Sequence, residues 1–246
     1  MIQFLQLPLA QQLADFWQLH IYRNFIQDDR WRYLTAGLKN TLLISLGALT
    51  IGLLLGALVA MVRVTHDKAE HPSFGLRILN WLCNLYLTVI RSTPVMVQLL
   101  IAYYVIFVTV DPGKLVVAIL SFGFNSGAYV AEIFRGGIMS IDPGQMEAGR
   151  SLGLSYWQTM SQIILPQALK TVLPSLCNEG IALLKETSVA GYIGLAELTR
   201  GATQISTQTF DYFPPLLASA AIYLVVVLAL TKLVHILERR LAQSER

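Results

Sequence analysis

Residues 41–62 contain no charged side chain, and Lys39 and Arg63 close the run at its two ends. A helix rises 1.5 Å per residue, so about 20 residues cross the roughly 30 Å hydrocarbon core of a bilayer. No water reaches a peptide group there, so the backbone must satisfy its own hydrogen bonds as a helix or a closed barrel. The run therefore predicts a membrane-spanning helix. Gly52 and Gly56 lie four residues apart on one face and let a second helix approach closely. Composition extends the reading to the whole chain: 54% of its 246 residues are hydrophobic, 13% are charged, and the mean hydropathy is +0.56. Soluble domains carry about 25% charged residues. The class is all-α integral membrane.

Four further apolar segments follow. Residues 76–110 are too long for one straight span and carry Arg91-Ser92-Thr93-Pro94 inside. Pro94 has no N–H, so the carbonyl of Ile90 loses its helical partner and must find another. One long, bent span is predicted. A third covers residues 115–135, with Gly123, Gly127 and Ala131 forming a stripe of small residues. A fourth covers 172–195 and is unusually polar, and the last covers 213–237. Five spans place the termini on opposite sides. The basic residues of the short loops (Arg63, Lys68, Arg77, Arg150, Lys170, Arg239, Arg240 and Arg246) favour a cytoplasmic C-terminus and an external N-terminus. Residues 1–35 have no basic leader and read as an extracytoplasmic amphipathic segment along a membrane face. Residues 36–240 form the transmembrane domain and 241–246 a cytoplasmic tail. The net charge of +3 suits lipid headgroups rather than nucleic acid.

Between the third and fourth spans, residues 142–166 are too polar to cross a bilayer. Asp142 suits an N-cap, Pro143 the first helical position and Gln145 the third place of a capping box. Gly153 suits a left-handed C-cap. Ser155 and Gln158 repeat the start signal, and Pro166 marks where a second helix of about three turns should stop. Two capped surface helices are expected.

Catalytic signatures are missing. There is no phosphate-binding loop of Gly-x4-Gly-Lys-Ser/Thr type, no His-x3-His pair and no nucleophile elbow, and the four histidines and two cysteines have no metal-ligand spacing. Neither an enzyme nor a metal site is expected. What the spans hold is charge: Arg91, Glu132, Glu179, Lys185 and Glu186. Ionisable groups inside a bilayer face a cavity or one another. Counting along the helices places Arg91, Asn125 and Lys185 near mid-depth, with Glu132 and Glu179 nearer the cytoplasm. Such a layer suits a small zwitterionic solute, whose carboxylate and amine would meet groups of opposite sign. Pairing within the bundle is the competing reading for Glu132, Arg135 and Glu186.

Glu147-Ala148-Gly149, then Gly153, then Ile163-Ile164-Leu165-Pro166 resembles the "EAA" pattern of ABC importer permeases, with Gly149 in place of the second alanine. Residues 89–98, containing Arg91-Ser92-Thr93-Pro94 and Gln98, are similar to the second-span segment of the polar amino acid permease subfamily, with Ser92 for the usual glycine. Asn125-Ser126-Gly127-Ala128-Tyr129, Lys185-Glu186-Thr187-Ser188 and Glu197-Leu198-Thr199-Arg200 match it too. The likeness covers residues 34–240. It implies a type I ABC importer permease (MetI-like) fold and a permease subunit that imports a polar amino acid. It also implies two ATP-binding subunits that carry ATP and Mg, a second permease subunit (identical or paralogous) and an extracytoplasmic solute-binding protein. The place is the bacterial inner membrane. Glu147, Ala148, Gly149, Arg150, Gly153 and Pro166 would couple to the ATPases. Arg91, Thr93, Gln98, Asn125, Ser126, Tyr129, Glu179 and Lys185 would line the substrate path. The chain itself is expected to bind no cofactor or metal. Two alternatives are a proton-coupled secondary carrier relaying through Glu132 and Glu179, and a membrane-embedded lipid-modifying enzyme. The lack of an internal inverted repeat counts against the first and the lack of an acidic or metal cluster against the second.

Overall fold

The computed structural model describes residues 8–243. Readings made for residues 1–7 and 244–246, including Arg246, lie outside the described residues. Those described form helices only: α1 (Leu9–Phe16), α2 (Trp31–Lys68), α3 (Phe74–Arg91), α4 (Val95–Ile101), α5 (Lys114–Met139), α6 (Pro143–Ser151), α7 (Tyr156–Thr159), α8 (Leu165–Glu186), α9 (Leu198–Thr209) and α10 (Phe213–Gln243). Wider π turns follow α1, α4 and α7, and a 3-10 segment, Thr187–Ile193, follows α8.

The α2–α5 pair is the centre of the molecule. Both predicted small-residue stripes lie at this seam. A Cβ on Gly56 would fall 2.5 Å from Val130 and 2.9 Å from the Ala131 amide, and one on Gly123 would fall 2.8 Å from Ile51. Only glycine lets the two backbones come this close. Ile44, Ala48, Ala118 and Phe122 are fully buried around the seam, with Leu99 and Leu183 arriving from α4 and α8.

Three helices, α2, α5 and α10, are long and apolar enough to cross a membrane. The α3–α4 pair qualifies together as a fourth, but it turns through 105° at its break rather than bending gently. The helix of the predicted fourth span, α8, is 22 residues long but carries Lys170, Pro174, Glu179, Lys185 and Glu186, and it does not join that set. Five spans are thus not all recovered by length and apolarity.

Residues 197–211, read from the sequence only as polar, fold into α9. Its Leu198, Ala202 and Ile205 pack with Leu34 of α2. The helix is amphipathic, and its apolar third is too sparse to stand out in the sequence. On its far end lies the N-terminal segment, fixed by the wholly buried Asn24. Asn24 Nδ2 donates to Asp211 and to the His20 carbonyl, both at 3.0 Å, and its Oδ1 accepts from Thr209 at 2.7 Å. Arg23 adds a 2.7 Å bond to the Thr209 carbonyl. The segment is docked by polar contacts as well as by its apolar face.

Candidate functional site

The α3–α4 break is built by its own sequence. Pro94 leaves Ile90 without a helical donor, and Gln98 supplies one: its Nε2 lies 2.9 Å from the Ile90 carbonyl and 2.8 Å from Thr93 Oγ1. Thr93 Oγ1 donates in turn to the Val89 carbonyl at 2.8 Å. Asn125, buried on α5, donates to Gln98 Oε1 at 3.0 Å. Thr93, Gln98 and Asn125 thus form one network that closes the backbone at the turn and ties it to α5. On the next residue of α5, Ser126 donates to Glu179 of α8 at 2.8 Å.

Next to this network, the Arg91 side chain extends toward Glu132, with Nη1 3.8 Å from Glu132 Oε1. Arg63 reaches the same oxygen at 3.3 Å, and Arg135 Nε lies 3.5 Å from the other. Arg135 also holds Asp67 at 2.9 Å. Three guanidinium groups therefore converge on Glu132 and Asp67, and Arg63 Nε is buried without a hydrogen-bond partner among the described residues. The Arg91 guanidinium lies 5.8 Å above the Tyr129 ring, a cation–π geometry. A cavity of about 560 Å³ opens here, lined by Arg63, Asn84, Thr88, Arg91, Tyr129 and Glu132. Lys185 is exposed at the end of α8, two turns past Glu179, and joins neither group.

The loop between α5 and α8 folds from its caps. Asp142 accepts from the Gly144 amide at 2.8 Å, one residue short of the predicted box with Gln145. Gly153 has φ +86°, the left-handed turn its position predicts. Ser155 and Gln158 make the full reciprocal box, with bonds of 2.8 and 3.3 Å. Pro166 does not end the second helix. The four-residue α7 passes through a π turn, Met160–Ile164, straight into α8, where Pro166 occupies the first turn. The chain is already helical before it, with the Leu165 amide bonded to the Met160 carbonyl, and the wider π turn accommodates a residue that has no amide to donate. Gly149 is buried against Thr159, and this small residue seats α6 on its neighbour within the hairpin. Glu147, Ala148, Arg150 and Gly153 are exposed, together with Leu152 and Trp157. On this turn burial pushes the Tyr156 phenol upward from its ordinary range.

Glu197 has no structural role in the sequence reading beyond its place in the Glu-Leu-Thr-Arg likeness. It is wholly buried at the start of α9 and accepts from the Thr199 and Arg200 amides at 2.7 and 2.6 Å. A carboxylate at a helix N-terminus meets both free amides and the positive end of the dipole. The signal was available: Glu-Leu-Thr-Arg follows a glycine and precedes an amphipathic run. Among the described residues no cluster of His, Cys, Asp or Glu could hold a metal.

Residues 52–243 match the family model described as the binding-protein-dependent transport system inner membrane component. The chain is 34% identical to the L-cystine transport system permease protein TcyB of Bacillus subtilis, over 89% of its own length and 90% of that protein's. It is also 34% identical to the arginine transport system permease protein ArtQ of the same organism, over 87% and 94%. Among solved structures it superposes on an amino acid ABC transporter crystallised with histidines, with TM-score 0.76, 39% identity, and coverage of 85% of this chain and 94% of that one. An inward-facing methionine transporter MetNI, 19% identical, gives TM-score 0.69 over 86% and 97% and shows a shared fold. With a matching family model over most of its length and relatives at 34% identity, the chain belongs to the binding-protein-dependent transport system inner membrane component family and is a multi-pass permease subunit of an ATP-driven ABC importer, not an enzyme.

Proposed function

We propose that this permease imports a polar amino acid and that its 142–166 hairpin receives the ATP-driven motion of the partner ATPases. The observation that carries the substrate class is the mixed polar layer. Arg91 above Tyr129, beside Glu132, offers a guanidinium to a carboxylate. Glu179, tied to Ser126, offers a carboxylate to an amine. Cystine and arginine in the names of two relatives support the class. Thr93, Gln98 and Asn125 hold the turn that aims Arg91, and Lys185 lies further along the path. The charge of the loops supports five spans, with α8 as the fourth, the N-terminus outside and the C-terminus in the cytoplasm. Two ATP-binding subunits, a second permease subunit and a solute-binding protein complete the assembly, with ATP and Mg on the ATPases.

Exposed Glu147, Ala148, Arg150 and Gly153 form the surface offered to an ATPase, and Pro166 starts the helix behind it. Gly153→Val tests the coupling, because φ +86° strains any side-chain-bearing residue. In the reconstituted complex this variant is expected to insert normally and hydrolyse ATP while uptake falls. Normal coupled uptake refutes the assignment. Uptake of labelled arginine, glutamine, cystine, glutamate and histidine identifies the solute. Transport that survives ATP depletion but collapses with an uncoupler points instead to a proton-driven carrier.

A further inference from the structure

A second polar cavity, of about 630 Å³, opens at the opposite end of α5. It is far from the Arg91 cavity: Lys114 and Glu132 are 18 residues apart on one helix, about 27 Å at helical rise. Its walls come from the end of α4, the start of α5, the 3-10 segment after α8 and the first turns of α9. Lys114 and Arg200 are its two cations. Neither forms an ion pair with a carboxylate among the described residues. The one carboxylate in the wall, Glu197, is buried with its oxygens committed to the α9 amides. Lys114 is held in place: its Nζ lies 3.4 Å from the Gly194 carbonyl and 5.9 Å above the Tyr103 ring. Gly194 has φ +72°, and a Cβ there would fall 2.9 Å from that Nζ, so the glycine both makes the turn and leaves room for the ammonium. Ser188, Thr199 and Thr203 line the same space, with the Thr203 hydroxyl donating to the Thr199 carbonyl at 2.6 Å.

Resting on the import reading, we propose that this cavity is an entry site on the extracytoplasmic side that binds the carboxylate of the incoming solute. Lys114 and Arg200 are its anion-binding pair. The volume falls within the range of small-molecule pockets, about 300–1,000 Å³. The two cations border one concave space, which suits a small carboxylate better than the flat acidic face of a protein. Hydrogen bonds from charged donors make such a clamp effective.

The test uses the full complex with its ATPases and solute-binding protein in proteoliposomes. Lys114→Met, Arg200→Met, the double variant and Lys114→Arg are compared for uptake, for affinity toward the binding protein and for binding-protein-stimulated ATPase activity. The double variant is expected to lower uptake about tenfold or more. Binding-protein affinity and stimulation should stay within about twofold, and Lys114→Arg should restore most of the uptake of Lys114→Met. Arg200→Met, whose guanidinium bonds no backbone carbonyl, guards against a general loss of folding. Unchanged uptake in the double variant overturns the proposal. So does a loss of binding-protein affinity equal to the loss of uptake, which assigns the cations to protein docking. Failure of the import reading is distinguishable, because the unmodified complex would then show no ATP-driven amino acid uptake.

Discussion

Replacing Gln98 by leucine asks whether the network at the break is part of the fold or a surface for the solute. The side chain keeps its bulk and loses every polar contact. Its Nε2 now reaches the Ile90 carbonyl at 2.9 Å and Thr93 Oγ1 at 2.8 Å, and its Oε1 accepts from Asn125 at 3.0 Å. After the change the Ile90 carbonyl has no helical donor, because Pro94 cannot supply one, and the Asn125 amide is left on a buried residue. An unsatisfied buried polar group costs about 1–3 kcal/mol. Two such groups, eased by local relaxation and water, give an expected loss of about 2–4 kcal/mol. For a chain of this size that corresponds to a fall in the thermal midpoint of several degrees, about 4–15 °C. Asn125→Ala provides the matched control: it leaves the Ile90 carbonyl paired with Gln98 and frees only Gln98 Oε1, so it should lose part of that stability. Thermal unfolding of the purified complex in detergent is followed alongside the KM for uptake. A midpoint unchanged in both variants, with a raised KM, refutes the backbone-closing role and returns Gln98 to direct contact with the solute.

Gly56→Ala places a methyl 2.5 Å from Val130 at the α2–α5 seam. The overpacking should destabilise by about 1–3 kcal/mol, read as lower yield and lower thermal midpoint, and Val130→Ala in the same chain should recover part of it. Asn24→Ala removes the buried amide that joins the N-terminal segment to Thr209 and Asp211. Trypsin should then cut after Arg23 or Arg30 several times faster than in the parent chain, while uptake per intact complex changes little. Equal cleavage rates would show that the apolar face alone holds the segment.

The apolar runs and their small-residue stripes were legible because both follow from local rules: length against bilayer thickness, and spacing on a helical face. The orphaned Ile90 carbonyl was legible as a need, since Pro94 creates it wherever the chain goes. Its donor was not legible. Gln98 lies eight residues on, beyond a 105° turn that no periodicity encodes. Pro166 misled for a similar reason. Proline ordinarily marks a helix end, and here the π turn at Met160–Ile164, which has no compositional signature, lets the helix continue through it. The burial of Glu197 was not legible because a carboxylate in a polar stretch ordinarily faces water. Only the packing of α9 against α2 encloses it.

The unbroken passage from α7 into α8 has a mechanical consequence. At 22 residues α8 is about 33 Å long, carries Pro174 in its interior, and has different joints at its two ends. One end carries the capped hairpin through the π turn, and the other runs into the 3-10 segment and Gly194, which form part of the wall of the outer cavity. A tilt of 10° about the hairpin end would sweep the other end through about 6 Å. That is roughly the diameter of an amino acid backbone. Under the proposed coupling, a stroke applied at the hairpin would travel to the far mouth along this one helix, with Pro174, which offers no amide to the Lys170 carbonyl, as its flexible point.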